Sequence, residues 1–179
     1  MKYYMTNQKL LWAIEAVLFA AGRAVSLKEL AHILEVSSEE VKEALKALQE
    51  HYQDRGVTLR EVGGGFRFET RSEFAPYIRR LKLGNPPRLS RAALETLAIV
   101  AYKQPITKAE IEAIRGVDSA GALKSLLEKG LIKIAGRKEV PGRPLLYATT
   151  RRFLEVFALK DLSELPSLKE LEKMFDERD

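Results

Sequence analysis

The sequence predicts a mainly α protein with small β wings (α+β), made of two tandem winged-helix (helix-turn-helix) domains and a C-terminal tail. Three observations predict it. Two helical stretches, residues 10–21 and 92–101, are apolar around almost their whole circumference. Each is followed by two shorter amphipathic patterns with Ser, Thr or Asp at their starts, and then by a pair of short alternating strands. Landmarks also recur at a nearly constant offset. Glu15 and Glu95 are 80 positions apart, the caps at Ser26 and Thr107 are 81 apart, and Thr70/Phe74 and Thr149/Phe153 are 79 apart. A fixed period marks a repeated structural unit.

The first domain covers residues 1–81. Residues 8–21 form its first helix, with Gly22 as the stop and Glu15 as the one polar residue between Leu10 and Ala21. Ser26-Leu27-Lys28-Glu29 reads as a capping box, with Leu27, Leu30, Ala31, Ile33 and Leu34 on the buried face of the helix it opens. Ser37-Ser38-Glu39-Glu40 opens a third helix with Val41, Ala44, Leu45 and Leu48 at helical spacing, and acids in its first turn suit the positive helix end. Residues 57–62 and 66–70 alternate with period two, joined by Gly63-Gly64-Gly65 as a hairpin turn. A short helix follows over 73–81.

Residues 82–89 are a linker, because Gly84-Asn85-Pro86-Pro87 forbids a continuous helix. The second domain, 90–157, repeats the order. Ser90 caps its apolar first helix. Thr107-Lys108-Ala109-Glu110 is a second capping box, opening 111–115. Asp118-Ser119 caps 120–129, which Gly130 ends. A hairpin pairs 131–134 with 145–148, and Pro141-Gly142 within its loop reads as a type II turn. In the tail, 158–179, leucines 159, 162, 165, 168 and 171 continue from Phe157, interrupted by Pro166. A last helical turn or two falls over 169–175, and the final four residues fray.

Composition narrows the function. Hydrophobic residues make up 46% and charged residues 31% of the 179, a globular profile, and no apolar run approaches the ~20 residues that span a bilayer. The apolar run near the N-terminus contains Glu15 and leads into Gly22-Arg23, so it does not read as a signal peptide. Without cysteine there is no disulfide framework or thiolate metal site, and a reducing cytosolic setting follows. The net charge of +5 is uneven. Residues 1–81 hold 12 basic and 11 acidic side chains, 82–150 hold 12 and 6, and 151–179 hold 6 and 8. The basic excess therefore lies around the second domain.

No catalytic chemistry is legible, and no cofactor or metal is expected. His32 and His51 sit on separate helices, no serine stands in a nucleophile motif, and no His/Asp/Glu cluster has ligand spacing. Gly63-Gly64-Gly65 lacks the lysine and following helix of a phosphate loop.

A winged helix suggests DNA binding through its third helix and wing. In the first domain that helix begins Glu39-Glu40-Val41-Lys42-Glu43, whose three carboxylates repel phosphates. In the second it begins Ser119-Ala120-Gly121-Ala122, too short to reach base edges. The wing carries Arg137, Lys138 and Arg143 against Glu139, enough for weak, sequence-blind phosphate contact. The surplus is apolar helix surface, since a domain of this size buries only part of its chain surface and a large apolar patch marks an interface. These residues point to an adaptor that binds itself and other proteins, with a winged-helix DNA-binding transcription regulator as the alternative and an RNA-associated basic protein behind it.

The run from Leu89 through Ala92-Ala93-Leu94-Glu95-Thr96-Leu97-Ala98-Ile99-Val100-Ala101-Tyr102-Lys103-Gln104-Pro105-Ile106 to Thr107 resembles segregation and condensation protein B of bacteria and archaea. So do Ile114-Arg115-Gly116-Val117, Gly136-Arg137-Lys138, and Pro141-Gly142-Arg143-Pro144-Leu145-Leu146-Tyr147. The resemblance extends over residues 9–171 and is looser in the first domain, where Glu15-Ala16-Val17-Leu18-Phe19 is the most similar piece. Ala148 stands where a Gly is expected, Glu139 where an Asp is, and Ala120 in place of a more polar residue. The resemblance implies a non-enzymatic subunit of the prokaryotic condensin complex, cytoplasmic and nucleoid-associated. It implies a homodimer formed through the first domain, with Leu11, Ile14 and Leu18 as interface residues. It implies contact with the kleisin, segregation and condensation protein A, through Leu94, Leu97, Ile99, Val100 and Tyr102. The SMC ATPase would be reached through the kleisin, DNA weakly or indirectly, and no membrane is involved.

Overall fold

In a computed structural model, residues 7–81, 89–167 and 170 are described, and the chain divides into two compact units, 1–84 and 85–179. Gly84-Asn85-Pro86-Pro87 and the helical turn expected over 169–175 lie outside the described residues, except for Glu170. The fold is mainly α with small antiparallel sheets, a winged helix in each unit.

The first unit comprises α1 (Asn7–Ala21), α2 (Leu27–Leu34), α3 (Ser38–His51), β1 (Val57–Val62), β2 (Gly65–Thr70) and α4 (Ala75–Arg79). Leu10, Ile14 and Leu18, at helical spacing on α1, meet Leu30, Val41, Leu45 and Leu48 in one core. Each such side chain contributes about 1.5–3 kcal/mol by leaving water. Ile33 is the member of the expected α2 face that is exposed instead. The Ser26 hydroxyl accepts the Glu29 amide at 3.2 Å, but Glu29 does not return the bond. Its carboxylate holds Arg23 at 2.5 Å, so the expected box is a single cap. The reciprocal box forms at Ser37 and Glu40. The hairpin turn is Gly63-Gly64, both with positive φ, while Gly65 already pairs with Val62 in β2. Glycine takes that conformation without a Cβ penalty. The helix expected over 73–81 is a 3₁₀ turn, Ser72–Phe74, followed by the five residues of α4.

The second unit comprises α5 (Arg91–Lys103), β3 (Ile106–Thr107), α6 (Lys108–Arg115), α7 (Ala120–Glu128), β4 (Ile132–Arg137), β5 (Leu145–Thr149) and α8 (Arg151–Val156). The strand β3 was not expected; it makes the wing a three-stranded sheet in the order β3-β5-β4. Two residues show no alternation, so only their tertiary partner reveals them. Thr107 and Glu110 form the full capping box, and the Ser90 hydroxyl accepts the Ala93 amide at 3.2 Å. Ser119 does not cap α7 with its side chain. It is buried, its hydroxyl accepts from Arg115 at 3.0 Å, and its own amide donates to Glu112 at 2.9 Å. Asp118 accepts the Ala120 amide at 3.1 Å in its place. At the wing tip Gly142 has φ +82° and the Arg143 amide donates to the Val140 carbonyl at 2.9 Å, the hydrogen bond of a tight turn.

The start of the tail folds back on this unit. Leu159 and Leu165 pack on the second core, and a 3₁₀ turn, Leu162–Glu164, lies between them with Asp161 as its cap. The Tyr102 hydroxyl donates to the Pro166 carbonyl at 2.7 Å.

Candidate protein-interaction surfaces

On α1 the core and the free surface lie back to back. Ile14 and Leu18, two of the three expected dimer-interface residues, are 0% and 2% exposed within their own unit. Leu11, the third, is half-buried against the same core. Side chains already enclosed cannot also meet a partner, so Ile14 and Leu18 are corrected to core, while Leu11 keeps part of its surface open. The face left over carries Trp12, 59% exposed, and Phe19, 85% exposed. The sequence shows a helix apolar all round, but not which side of it the core takes. A helix whose two faces are equally apolar has no moment to orient it.

Beside this face lies an open, mostly apolar groove of about 670 Å³, lined by Trp12, Phe19, Tyr52, Val57 and Phe68 among others. Glu15 stands in it, and the Tyr52 hydroxyl donates to the Glu15 carboxylate. That hydrogen bond, with partial burial and the charge of Glu15, raises the pKa of Tyr52 above its ordinary value. Arg67 and Glu69 pair at 2.5 Å on the β2 side of the groove.

The α5 residues expected to meet the kleisin are split in the same way. Leu97 and Val100 are core, Val100 with no exposure at all. Ile99 packs partly buried against that core. Tyr102 is partly buried and tied to Pro166. Leu94 alone of the five is exposed, at 47%. Ile114 and Val117, not singled out as sites from sequence, are exposed too. Leu94 and Ile114 each precede one partner of an ion pair, Glu95 with Arg115 at 3.3 Å. Hydrogen bonds from Arg91 and Arg115 hold the Glu95 carboxyl below its ordinary range. Arg115 is 7% exposed and also donates to Ser119 and the Asp118 carbonyl, while its Nε has no hydrogen-bond partner. Lys108 reaches Asp118 at 3.1 Å and Glu112 at 3.3 Å, which raises its pKa.

The wing cations are engaged within the unit. Lys138 pairs with Glu110 at 2.5 Å and Arg143 with Glu139 at 3.2 Å, while Arg137 donates to the Arg143 carbonyl at 3.0 Å. Lys138, together with the Thr107 amide and hydroxyl, lowers Glu110 from 4.5 to about 2. Among the described residues there is no metal-holding group of His, Cys, Asp or Glu, and no helix is long and apolar enough to cross a membrane.

The family described as segregation and condensation complex subunit ScpB matches residues 12–168. Segregation and condensation protein B of Syntrophotalea carbinolica is 51% identical over 166 residues, covering 92% of this chain and 84% of that protein. The Moorella thermoacetica protein of the same name is 52% identical over 161 residues, covering 89% and 83%. Among solved structures, a dimer of the ScpB N-terminal domain complexed with ScpA peptide is 40% identical, covers 41% of this chain and 95% of that one, and has a TM-score of 0.40. Matched by the family over residues 12–168 and by relatives about half identical across most of its length, the chain belongs to the ScpB family of segregation and condensation complex subunits.

Proposed function

We propose that this chain is a non-enzymatic accessory subunit of an SMC–kleisin condensin complex. It self-associates through its first unit and binds the kleisin, segregation and condensation protein A, in the cytoplasm at the nucleoid. Through the kleisin it supports the SMC ATPase in chromosome condensation and segregation. Family membership over residues 12–168 carries this reading. The exposed Trp12 and Phe19 in the first unit, and Leu94, Ile114 and Val117 in the second, support it, because apolar surface of this kind marks protein contact. The kleisin surface is accordingly assigned to Leu94 with Ile114 and Val117, in place of Leu97 and Val100.

The test is titration of the intact chain with its kleisin. Leu94→Asp weakens binding by roughly tenfold or more, the loss typical of one central interface side chain, while the fold is kept. Unchanged affinity in Leu94→Asp and in Ile114→Asp removes this surface from the kleisin contact.

A further inference from the structure

We propose that residues 158–166 form a self-docked strap that closes one end of the outer α5 surface and is displaced when the kleisin binds there. This rests on the reading that the kleisin meets the second unit at Leu94, and it adds how that contact is regulated.

The strap begins with a chain reversal at the end of α8. The Leu159 amide donates to the Leu154 carbonyl at 2.9 Å, and the Ala158 amide to the Glu155 carbonyl at 3.4 Å. This pair of hydrogen bonds ends a helix and turns the chain back, with a left-handed residue at its pivot. The pivot is Ala158, at φ +53°. Alanine carries a Cβ cost in that conformation that glycine would not. The reversed chain lays Leu159 and then Leu165 on the second core. Between them the Glu164 carboxylate accepts the Lys160 amide at 2.6 Å, and Asp161 accepts the Ser163 amide at 2.8 Å. Bonds within the strap therefore give it a shape that does not depend on α5, so it can leave and return as one piece.

Its hold on the unit is shallow. Residues 160–164 are all exposed, and Leu159 and Leu165 are only partly buried. The far end is held at the surface, where the Tyr102 hydroxyl meets the Pro166 carbonyl. Segments with so few buried contacts open at a small fraction of the free energy that unfolds the domain. What the strap closes is the continuation of the Leu94 surface. At about 100° per residue, Ala98 lies roughly 40° and Tyr102 roughly 80° from Leu94 around α5, and Tyr102 lies about 12 Å along it. Leu94 and Ala98 are exposed, whereas Tyr102 is partly buried. A partner segment that follows this stripe from Leu94 meets the strap a little over two turns later. It reaches Tyr102 and the surface beneath Leu165 only by displacing the tail. The tether to α8 keeps the strap at high local concentration. Weak apolar contacts are therefore screened out, and a partner that also engages Leu94 prevails.

The chain contains no cysteine, so one introduced thiol reports the strap. In the full-length Leu165→Cys chain, alkylation is slower than in urea, and saturating kleisin raises its rate toward the unfolded value. In kleisin titrations, apparent affinity scales with the open fraction, so Leu165→Asp tightens binding by roughly tenfold. Ala158→Gly keeps every side-chain contact and removes the Cβ cost at the pivot, so it closes the strap further and weakens binding by roughly twofold or more. An alkylation rate in the free chain equal to that in urea overturns the docked strap. A bound kleisin that leaves the rate unchanged, or slows it, overturns displacement. Leu165→Asp binding no tighter than wild type, together with Ala158→Gly binding no weaker, overturns competition. In each of these outcomes the Leu94 contact stands if Leu94→Asp still weakens binding. A wild-type chain that does not bind the kleisin, or binding indifferent to both Leu94→Asp and Ile114→Asp, overturns that contact and the regulation built on it together.

Discussion

Val100 separates core from contact on α5. Its side chain has no exposure and packs with Leu97, Ile111 and Leu126 in the second unit. Val100→Ala removes two buried methyl groups. At about 0.8 kcal/mol for each, plus the cavity left behind, the loss is about 2 kcal/mol. For a domain of this size, each kcal/mol lowers Tm by about 4–8 °C, so the second unit melts roughly 8–16 °C lower. Val100→Asp costs more, because it forfeits the burial and places an unpaired carboxylate in the core. The combined cost is at least ~5 kcal/mol, comparable with the whole stability of a small domain. Leu94→Asp, at a half-exposed position, costs at most about 1 kcal/mol. Thermal and urea unfolding followed by far-UV circular dichroism separates the three. If Val100→Ala moves Tm by less than 2 °C yet weakens kleisin binding, Val100 is a contact residue and the account of α5 fails.

Glu110 gives a pH signature. Its pKa is lower in the folded unit than its ordinary 4.5, so its contribution is present above pH 4.5 and is lost as pH falls toward 2. Melting temperatures taken from pH 7 to pH 2.5 therefore decline less steeply in Glu110→Gln than in wild type; identical slopes reject the Lys138–Glu110 contact as a contributor. The docked tail gives a second test. Leu159→Ala with Leu165→Ala removes two partly buried leucines and lowers the stability of the second unit by about 2 kcal/mol, measured as a shift of the urea midpoint. A midpoint equal to wild type means that the tail does not pack there in solution.

The local rules predicted most of the fold. Val41, Ala44, Leu45 and Leu48 are all buried, as their spacing requires, and Thr107 with Glu110 closes its box. The misses share one cause, that a side chain or strand takes a partner other than the one its local motif names. Glu29 turns to Arg23 rather than to Ser26, and Ser119 is enclosed by Arg115 and Glu112. Strand β3 exists only because β5 lies beside it. The sites show the same limit more sharply. That α1 and α5 carry surplus apolar surface was legible, but which side faces the core was not. On α1 the choice among Leu11, Trp12, Ile14, Leu18 and Phe19 is settled by the position of α3 and the hairpin, and on α5 part of the surplus is met by Leu159 and Leu165 from the tail. No window of a dozen residues contains that information.

The engaged cations of the second wing also bear on how DNA would meet the chain. Phosphate binding draws its free energy largely from counterions released by the nucleic acid as protein cations replace them. Lys138 and Arg143 are already balanced by Glu110 and Glu139, so bringing them to a phosphate displaces those carboxylates from their own cations. The entropy gained from released ions is offset by the ion pairs broken, and a wing with three basic residues behaves like one with far fewer. A wing wired in this way is drawn only weakly to nucleic acid met at random, and leaves the choice of where the chain is held to the proteins it joins.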